Sequence, residues 1–127
     1  MNTASSINLA IIMLSISFSS IAHILLKKGM MELAATITAN QGLIQKIINT
    51  GFNPWVLSGI TLHVGALFVW LWALSRVDIS FAYPFLALGY VLVSAMAWHW
   101  LGEELNTQRM IAMAIIISGI IVLAKAG

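Results

Sequence analysis

Four long hydrophobic stretches without a single charged side chain take up most of this 127-residue sequence. They cover residues 7–26, 54–74, 79–100 and 110–123. Because a helix rises about 1.5 Å per residue and the hydrocarbon core of a bilayer is about 30 Å thick, about 20 apolar residues are needed to cross it. The first three stretches have that length, and a cap at Asn106 or Thr107 extends the fourth to 107–124. The sequence therefore predicts an all-α membrane protein, one domain over 1–127 with four transmembrane helices.

Composition excludes several other classes of protein. Hydrophobic residues make up 61% of the chain and charged residues only 8%, which is far from the balance of a soluble domain. The net charge of +2 is too small to indicate nucleic-acid binding, and there is no cysteine. The three histidines lack ligand-type spacing, and no paired carboxylates or phosphate loop are present. We therefore expect neither an enzyme nor a cofactor or metal site.

The connections predict how the helices are arranged. The first, residues 29–53, mixes apolar and polar residues and forms either amphipathic pieces along the interface, broken near 40–42, or an ordinary loop. The other two are short, so helices 2, 3 and 4 alternate in direction and pack as neighbours. Four basic residues on one side against two on the other weakly favour a cytoplasmic location for the first and third connections, and insertion in both orientations is the alternative. The basic residues are Lys27, Lys28, Lys46 and Arg109 on that side and Arg76 and Lys125 on the other.

Polar residues in the first helix form a stripe. Ser15, Ser19, Ala22 and His23 follow helical spacing and therefore share one face. Either this face lines a polar cavity, or the serine hydroxyls bond back to carbonyls one turn earlier. The crowding of serines and a histidine within nine residues favours the cavity.

The third hydrophobic stretch carries a second polar face with a point where the helix can bend. Pro84 removes a backbone donor and Gly89 permits close approach of another backbone, so this helix can bend or open between them. The polar members of the face are Ser80, Tyr83, Tyr90 and Ser94, with Ala87 and Trp98 in the same register. These residues are candidates for binding a polar group, or else they are packing residues.

Three further sets of residues are candidates for function. His63 is the most deeply placed titratable group, and it either serves function or bonds to a neighbouring helix as a neutral imidazole. Lys27 and Lys28 end the first helix, where they anchor it among headgroups or hold a phosphate. In the fourth helix small residues that permit close helix contact predict a dimer face. They are Ala114, Ser118 and Gly119.

Several short motifs, taken in order, resemble the small multidrug resistance and EamA-like branches of the drug/metabolite transporter superfamily. They are Leu-Leu-Lys-Lys-Gly at 25–29, Ile-Ser-Phe-Ala-Tyr-Pro at 79–84, Gly-Tyr-Val-Leu-Val at 89–93, Leu-Gly-Glu-Glu-Leu at 101–105 and Ser-Gly-Ile at 118–120. The resemblance implies a four-helix bundle that acts as a dimer. It also implies a proton-coupling glutamate in the first helix of the exporters, but this chain has Ser19 or Ser20 at the matching place. Drug-proton antiport of the exporter type is therefore not expected.

Residues 70–93 resemble more closely the small subunits proposed to flip 4-amino-4-deoxy-L-arabinose-phosphoundecaprenol. This resemblance implies a multi-pass protein of the bacterial inner membrane that moves a polyprenyl-phosphate-linked sugar between leaflets. It implies a homodimer, or a heterodimer with a paralogous four-helix subunit. The alternatives are a small-solute or cationic-drug exporter of the same fold, and an accessory subunit of a membrane glycosyltransferase or flippase.

Overall fold

The computed structural model describes residues 3–126, and all of its regular elements are helical. They are α1 (Thr3–Thr36), α2 (Leu43–Phe52), α3 (Pro54–Leu74), α4 (Ile79–Ala82), a 3₁₀ turn (Tyr83–Leu86), α5 (Ala87–Leu101) and α6 (Thr107–Ala126). Four helical segments within the described chain are long and apolar enough to cross a membrane. They are Ser5–Thr36, Pro54–Leu74, Ile79–Leu101 and Thr107–Ala126. The predicted all-α membrane fold with four spanning helices is confirmed.

The first helix is longer than the hydrophobic stretch that marks it. Its 34 residues give a length of about 51 Å, well beyond the hydrocarbon thickness, whereas the sequence predicts an end near Leu26. Helix α1 continues past the lysine pair to Thr36, with Leu33 buried in this extension. Glu32, expected in a connection, is therefore part of a helix.

The rest of the first connection forms the separate helix α2. A turn around residues 39–41 precedes it, and none of its residues is buried. Its large apolar side chains are between 49% and 78% exposed. They are Leu43, Ile44, Ile47, Ile48 and Phe52. This chain thus leaves the apolar side of α2 uncovered.

Asn53 joins the end of α1 to the start of α3. Its side-chain oxygen accepts hydrogen bonds from the backbone N–H groups of Trp55 and Val56, at 3.0 and 3.2 Å, and so caps α3. Its amide group donates to Glu32 Oε2 at 3.3 Å. Nearby, Lys28 Nζ lies 3.7 Å from the centroid of the Trp55 ring. The lysine pair of α1 and the first turn of α3 therefore lie at the same level.

Small residues let α1 and α3 pack closely over much of their length. Gly59, Ala66 and Ala73 are buried on α3 at seven-residue spacing, and α1 contributes the fully buried Ala22. Ser15 Oγ donates a hydrogen bond across the contact to the carbonyl oxygen of Ala66, at 2.9 Å. Small side chains permit this close approach in a membrane, where no hydrophobic effect draws helices together.

The third span is interrupted where the sequence predicts a bend. The α-helical hydrogen bonding of α4 gives way to the 3₁₀ turn that contains Pro84, and α-helix resumes at Ala87. Gly102 ends α5 in the left-handed conformation, with φ of 70°. Such a conformation favours glycine, because a Cβ atom would crowd the backbone.

Burial identifies α1 as the central helix and α6 as the peripheral one. More of the buried residues lie in α1 than in any other helix, whereas Ile120 is the buried residue of α6. The main core joins Ile12 and Ile16 of α1 to Phe85 of the 3₁₀ turn, and α6 adds only Ile120. Most of α6 therefore faces outward from this chain.

Candidate functional site

A cleft between α3 and α5, with α1 as its floor, is a concave site within the spanning helices of the described chain. It consists of two adjoining cavities that share Ile16, Ser19 and Leu86. The cavity on the α5 side has a volume of about 520 Å³ and is also lined by Ser20, His23, Gly89, Tyr90 and Val93. The cavity on the α3 side has a volume of about 210 Å³ and is also lined by Ser15, His63, Ala66, Leu67 and Trp70.

The polar groups of the cleft centre on Ser19 and two histidines. Ser19 Oγ lies 3.3 Å from His63 Nδ1, which joins α1 to α3 within the span. The ring of His23 packs against that of His63, with centroids 5.1 Å apart and planes tilted by 58°. Because neutral imidazole has one donor and one acceptor nitrogen, this trio can both donate to and accept from a polar ligand.

The serines of α1 divide between the two roles that the sequence left open. Ser17 and Ser20 bond back to the carbonyl oxygens of Met13 and Ile16, at 2.8 and 2.7 Å. Ser15 donates across to α3, as described above, and Ser19 meets His63. Ser19 is therefore the serine of this stripe whose hydroxyl contacts a titratable side chain, the imidazole of His63.

The structure brings together five of the eight predicted binding residues. Ser15, Ser19, His23, His63 and Tyr90 all line the cleft, whose α5 wall carries Tyr90. The other three lie outside the residues that line its two cavities. They are Ser80, Tyr83 and Ser94, and Tyr83 is 59% exposed with its ring edge toward Trp70 at a centroid distance of 6.5 Å.

Sequence reasoning missed seven apolar or back-bonded members of the lining. They are Ile16, Ser20, Ala66, Leu67, Trp70, Leu86 and Val93. Trp70 lies on α3 one turn past Ala66, so its position follows from the way α3 packs on α1 and no local signal predicts it. Leu86 ends the 3₁₀ turn and lies between the two cavities.

The predicted interface residues lie in α1 about one turn past His23, and the helix continues beyond them to Thr36. Lys28 stacks on Trp55, which fits an anchoring role. Lys27 is exposed and follows His23 by four residues, so both lie on the same side of α1. Lys27 is thus the cation nearest in sequence to the polar stripe.

The small residues of α6 form a surface that this chain does not cover. Ala114 and Ser118 are exposed, and Ser118 Oγ donates to the carbonyl oxygen of Ala114 at 2.7 Å, which satisfies its hydroxyl within the helix. No heavy atom outside the local helix lies within 4 Å of the Cβ position at Gly119. These three residues are sterically free to meet another helix.

The side chains that line the cleft include no acidic group. No Asp or Glu lines either cavity, and within residues 3–126 no three His, Cys, Asp or Glu side chains are grouped closely enough to hold a metal ion. The remaining polar groups are hydroxyls, one phenol and two imidazoles. The fold and the site thus define a multi-pass membrane protein with an acid-free polar cleft inside the bilayer.

Two similar proteins have names that fit this class. The chain is 36% identical over 67 residues to a protein of Sodalis glossinidius (strain morsitans), covering 52% of this chain and 60% of the relative. It is 33% identical over 72 residues to a protein of Salmonella typhimurium (strain LT2), covering 57% and 65%. Each relative is named a probable 4-amino-4-deoxy-L-arabinose-phosphoundecaprenol flippase subunit, ArnE. The predicted resemblance to these flippase subunits is confirmed.

The matches extend over part of each relative. The aligned region spans 60 to 65% of the length of these curated relatives. No protein-family model matches the chain, and no solved structure matches it.

Proposed function

We propose that this chain is a flippase subunit that moves a polyprenyl-phosphate-linked sugar, an amino sugar or a similar amphiphile, between the leaflets of the bacterial inner membrane. The observation that carries the proposal is the acid-free polar cleft between α1, α3 and α5, in a chain similar to named flippase subunits. In this role the protein transports a lipid and makes or breaks no covalent bond.

The chemistry of the cleft suits a sugar linked to a phosphate. Ser19, His23, His63 and Tyr90 offer hydroxyl, imidazole and phenol groups that bond sugar hydroxyls and phosphate oxygens. Apolar residues that also line the cleft, such as Leu67 and Val93, suit contact with the hydrocarbon part of the lipid. An amphiphile whose headgroup crosses in this cleft keeps its tail in the lipid throughout.

A second four-helix subunit completes the pathway in this proposal. One chain gives the cleft a floor and two walls, and a pathway for a polar headgroup must be enclosed on all sides. The partner is a second copy of the chain or a paralogous subunit. The uncovered small residues of α6, Ala114, Ser118 and Gly119, are its proposed contact.

Ser19→Ala and Tyr90→Phe should each weaken flipping of a lipid-linked sugar in reconstituted vesicles. Each change removes one hydroxyl from the cleft, and losing a hydrogen bond to the substrate in a site of low dielectric constant costs about 1 to 3 kcal/mol. Since about 1.4 kcal/mol is a factor of ten, substrate affinity should fall roughly five- to hundredfold. The assay follows transfer of a fluorescent polyprenyl-phosphate sugar between leaflets at a substrate concentration below saturation.

Trp100→Phe provides the control, because Trp100 lies at the end of α5, is 64% exposed and lines neither cavity. This variant should flip lipid at the wild-type rate, and all three variants should yield equal amounts of folded protein. Normal flipping by both cleft variants would contradict the proposed site. A complete absence of flipping by wild-type protein, alone and with its paralogue, would favour an accessory subunit.

A cationic-drug exporter would depend on a carboxylate, and this chain places none in the cleft. Cells that express the protein should therefore gain no resistance to quaternary ammonium compounds. The matched variants Asp78→Asn and Glu103→Gln, at exposed positions outside the cleft, should not change that result. Resistance in the wild type that either substitution abolishes would establish the exporter and overturn the flippase.

A further inference from the structure

Two histidines meet in a part of the bilayer where no acid balances them. His23 of α1 and His63 of α3 have ring centroids 5.1 Å apart, and Ser19 Oγ is 3.3 Å from His63 Nδ1. His63 is the tenth residue of the 21-residue helix α3, so it lies about 14 Å from the start of that span, near the bilayer midplane. Ionisable groups at this depth are costly and usually functional.

The groups around the pair leave it without a counter-ion. Among the residues that line the cleft, Tyr90 of α5 is the other titratable side chain. The cation Lys27 lies one turn from His23 on α1, outside that lining. The 3₁₀ turn adds Leu86 to the lining. The four acids of the chain lie elsewhere. Glu32 is bonded to Asn53, and Asp78, Glu103 and Glu104 lie in the connections that flank the third span.

This arrangement makes an anion the natural ligand of the pair. Imidazole gains and loses its proton between pH 5 and 8, but in a region of low dielectric constant a protonated pair needs a negative charge beside it. A phosphodiester oxyanion supplies that charge and accepts hydrogen bonds from imidazolium N–H groups and from the hydroxyl of Ser19. Binding the anion and binding a proton then favour each other.

We infer that His23, His63 and Ser19 form a proton-coupled binding site for the phosphate of the lipid-linked sugar, entered from the headgroup region past Lys27. This inference rests on the proposed flippase function and deepens it, since it assigns the phosphate to the histidine pair inside the span. Lys27 and His23 lie one turn apart on one side of α1, and His63 of α3 packs against His23. The protonated histidine pair would thus bind an anion at a site of positive charge, whereas an exporter binds a cation at a membrane carboxylate.

The test uses two synthetic probes that differ in charge but share a tail and a sugar. The first is a farnesyl phosphodiester of glucose, which keeps one negative charge throughout the experiment, and the second is the neutral farnesyl glucoside. Their affinities for the full chain in nanodiscs are measured at pH 6 and pH 8 by isothermal titration calorimetry. Because the bound anion favours the protonated pair and protons are scarcer at pH 8, phosphodiester affinity should be about tenfold weaker at pH 8. The affinity of the neutral probe should not change.

Histidine variants locate the effect. His23→Gln and His63→Gln should bind the phosphodiester more weakly at pH 6 and lose most of the pH dependence, while any loss of affinity for the neutral probe should be smaller and the same at both pH values. His99→Gln is the matched control, because His99 lies at the end of α5 between Trp98 and Trp100 and lines neither cavity. Wild-type protein in weak buffer should also take up about one proton for each phosphodiester bound. This measurement decides the matter if a variant does not fold.

The outcomes separate this inference from the proposed function. Equal phosphodiester affinity at pH 6 and pH 8 with no proton uptake, in a protein that still flips lipid-linked sugar, overturns the inference and leaves the flippase intact. If phosphodiester affinity depends on pH in both His23→Gln and His63→Gln as it does in the wild type, the inference is also overturned. If neither probe binds at pH 6 or at pH 8 and no lipid-linked sugar is flipped, both the inference and the proposed function are overturned.

Discussion

Gly59→Leu should abolish the folded state of the protein in detergent. A Cβ atom at this position would lie 2.7 Å from Leu26 Cγ and 3.1 Å from the carbonyl oxygen of Ala22, which is backbone and cannot rotate away. The remaining atoms of leucine would force α1 and α3 apart at a place where the two helices are in close contact. Overpacking in a well-packed core typically costs about 1–3 kcal/mol even for small additions, so Gly59→Ala should lose stability in that range. The larger side chain should leave no monodisperse protein on size-exclusion chromatography.

The same helix offers a matched control at Gly65. No heavy atom outside the local helix lies within 4 Å of the Cβ position there, so a side chain enters open space. Gly65→Ala should be neutral or stabilising by up to about 1 kcal/mol, because alanine favours the helix more than glycine does. Thermal unfolding of the four variants, Gly59→Ala, Gly59→Leu, Gly65→Ala and Gly65→Leu, measures the difference. Equal melting temperatures for the two leucine variants would contradict the described contact of α1 with α3.

The tight contact at Gly59 also positions the cleft. His63 follows Gly59 by one turn on α3, and Ser15 of α1 bonds to the carbonyl oxygen of Ala66 three residues further on. The separation and rotation of the two helices therefore fix the distance between His23 and His63. Any Gly59 variant that still folds should bind lipid-linked sugar less well, although Gly59 itself lines neither cavity.

Features that depend on local sequence were predictable. The spanning helices follow from uninterrupted runs of apolar residues, and the break in the third span follows from Pro84, which lacks a backbone donor. The stripe of Ser15, Ser19 and His23 follows from helical periodicity, and all three line the cleft. The end of α1 was not predictable from hydropathy, because hydropathy marks where the bilayer ends, whereas helical hydrogen bonds continue into the headgroup region to Thr36.

The polar face expected on the third span was only partly found, for a geometric reason. Counting at three- and four-residue steps assumes one continuous α-helix, but residues 83–86 form a 3₁₀ turn with about three residues per turn. This change rotates the residues before the turn relative to those after it. Tyr90 therefore lines the cleft while Ser80 and Tyr83 do not. Ser94 follows the turn on the same helix as Tyr90, so the rotation does not account for its place outside the lining. The sequence signals that Pro84 disturbs the helix but does not give the resulting rotation.

The pairing of His23 with His63 was not predictable from either helix alone. Each histidine is an isolated residue in an apolar segment, and 39 residues intervene in the chain. Their contact depends on how α3 rotates to bring Gly59 and Ala66 against α1, which is a tertiary preference of small residues. The sequence contains those small residues, but glycine and alanine are frequent in membrane helices and do not by themselves identify their partner.

Gly119→Leu should convert a dimer into a monomer without unfolding the chain. Only Ile120 of α6 is buried in this chain, so the fold depends little on the outer side of the helix. The Cβ position at Gly119 has open space around it, which means that a leucine there meets no atom of its own chain. The small side chains of Ala114 and Ser118 leave the backbone of α6 accessible to a second helix. A branched side chain beside them would keep that helix from close contact. Native mass spectrometry in mild detergent and in nanodiscs should show dimers for the wild type and monomers for the variant.

Gly65→Leu separates loss of the α6 contact from a general effect of adding a large apolar side chain. It makes the same substitution at another open glycine, on α3, and should leave the dimer unchanged. A partner paralogue, if the pair is heteromeric, should bind the wild type and the Gly65 variant but not the Gly119 variant. Flipping should be lost together with dimerisation, because the cleft of one chain has a floor and two walls and needs the partner to enclose a headgroup. Monomeric wild-type protein that flips lipid at the full rate would contradict both the dimer and the enclosed pathway, and the cleft would then have to carry the headgroup while open to lipid on one side.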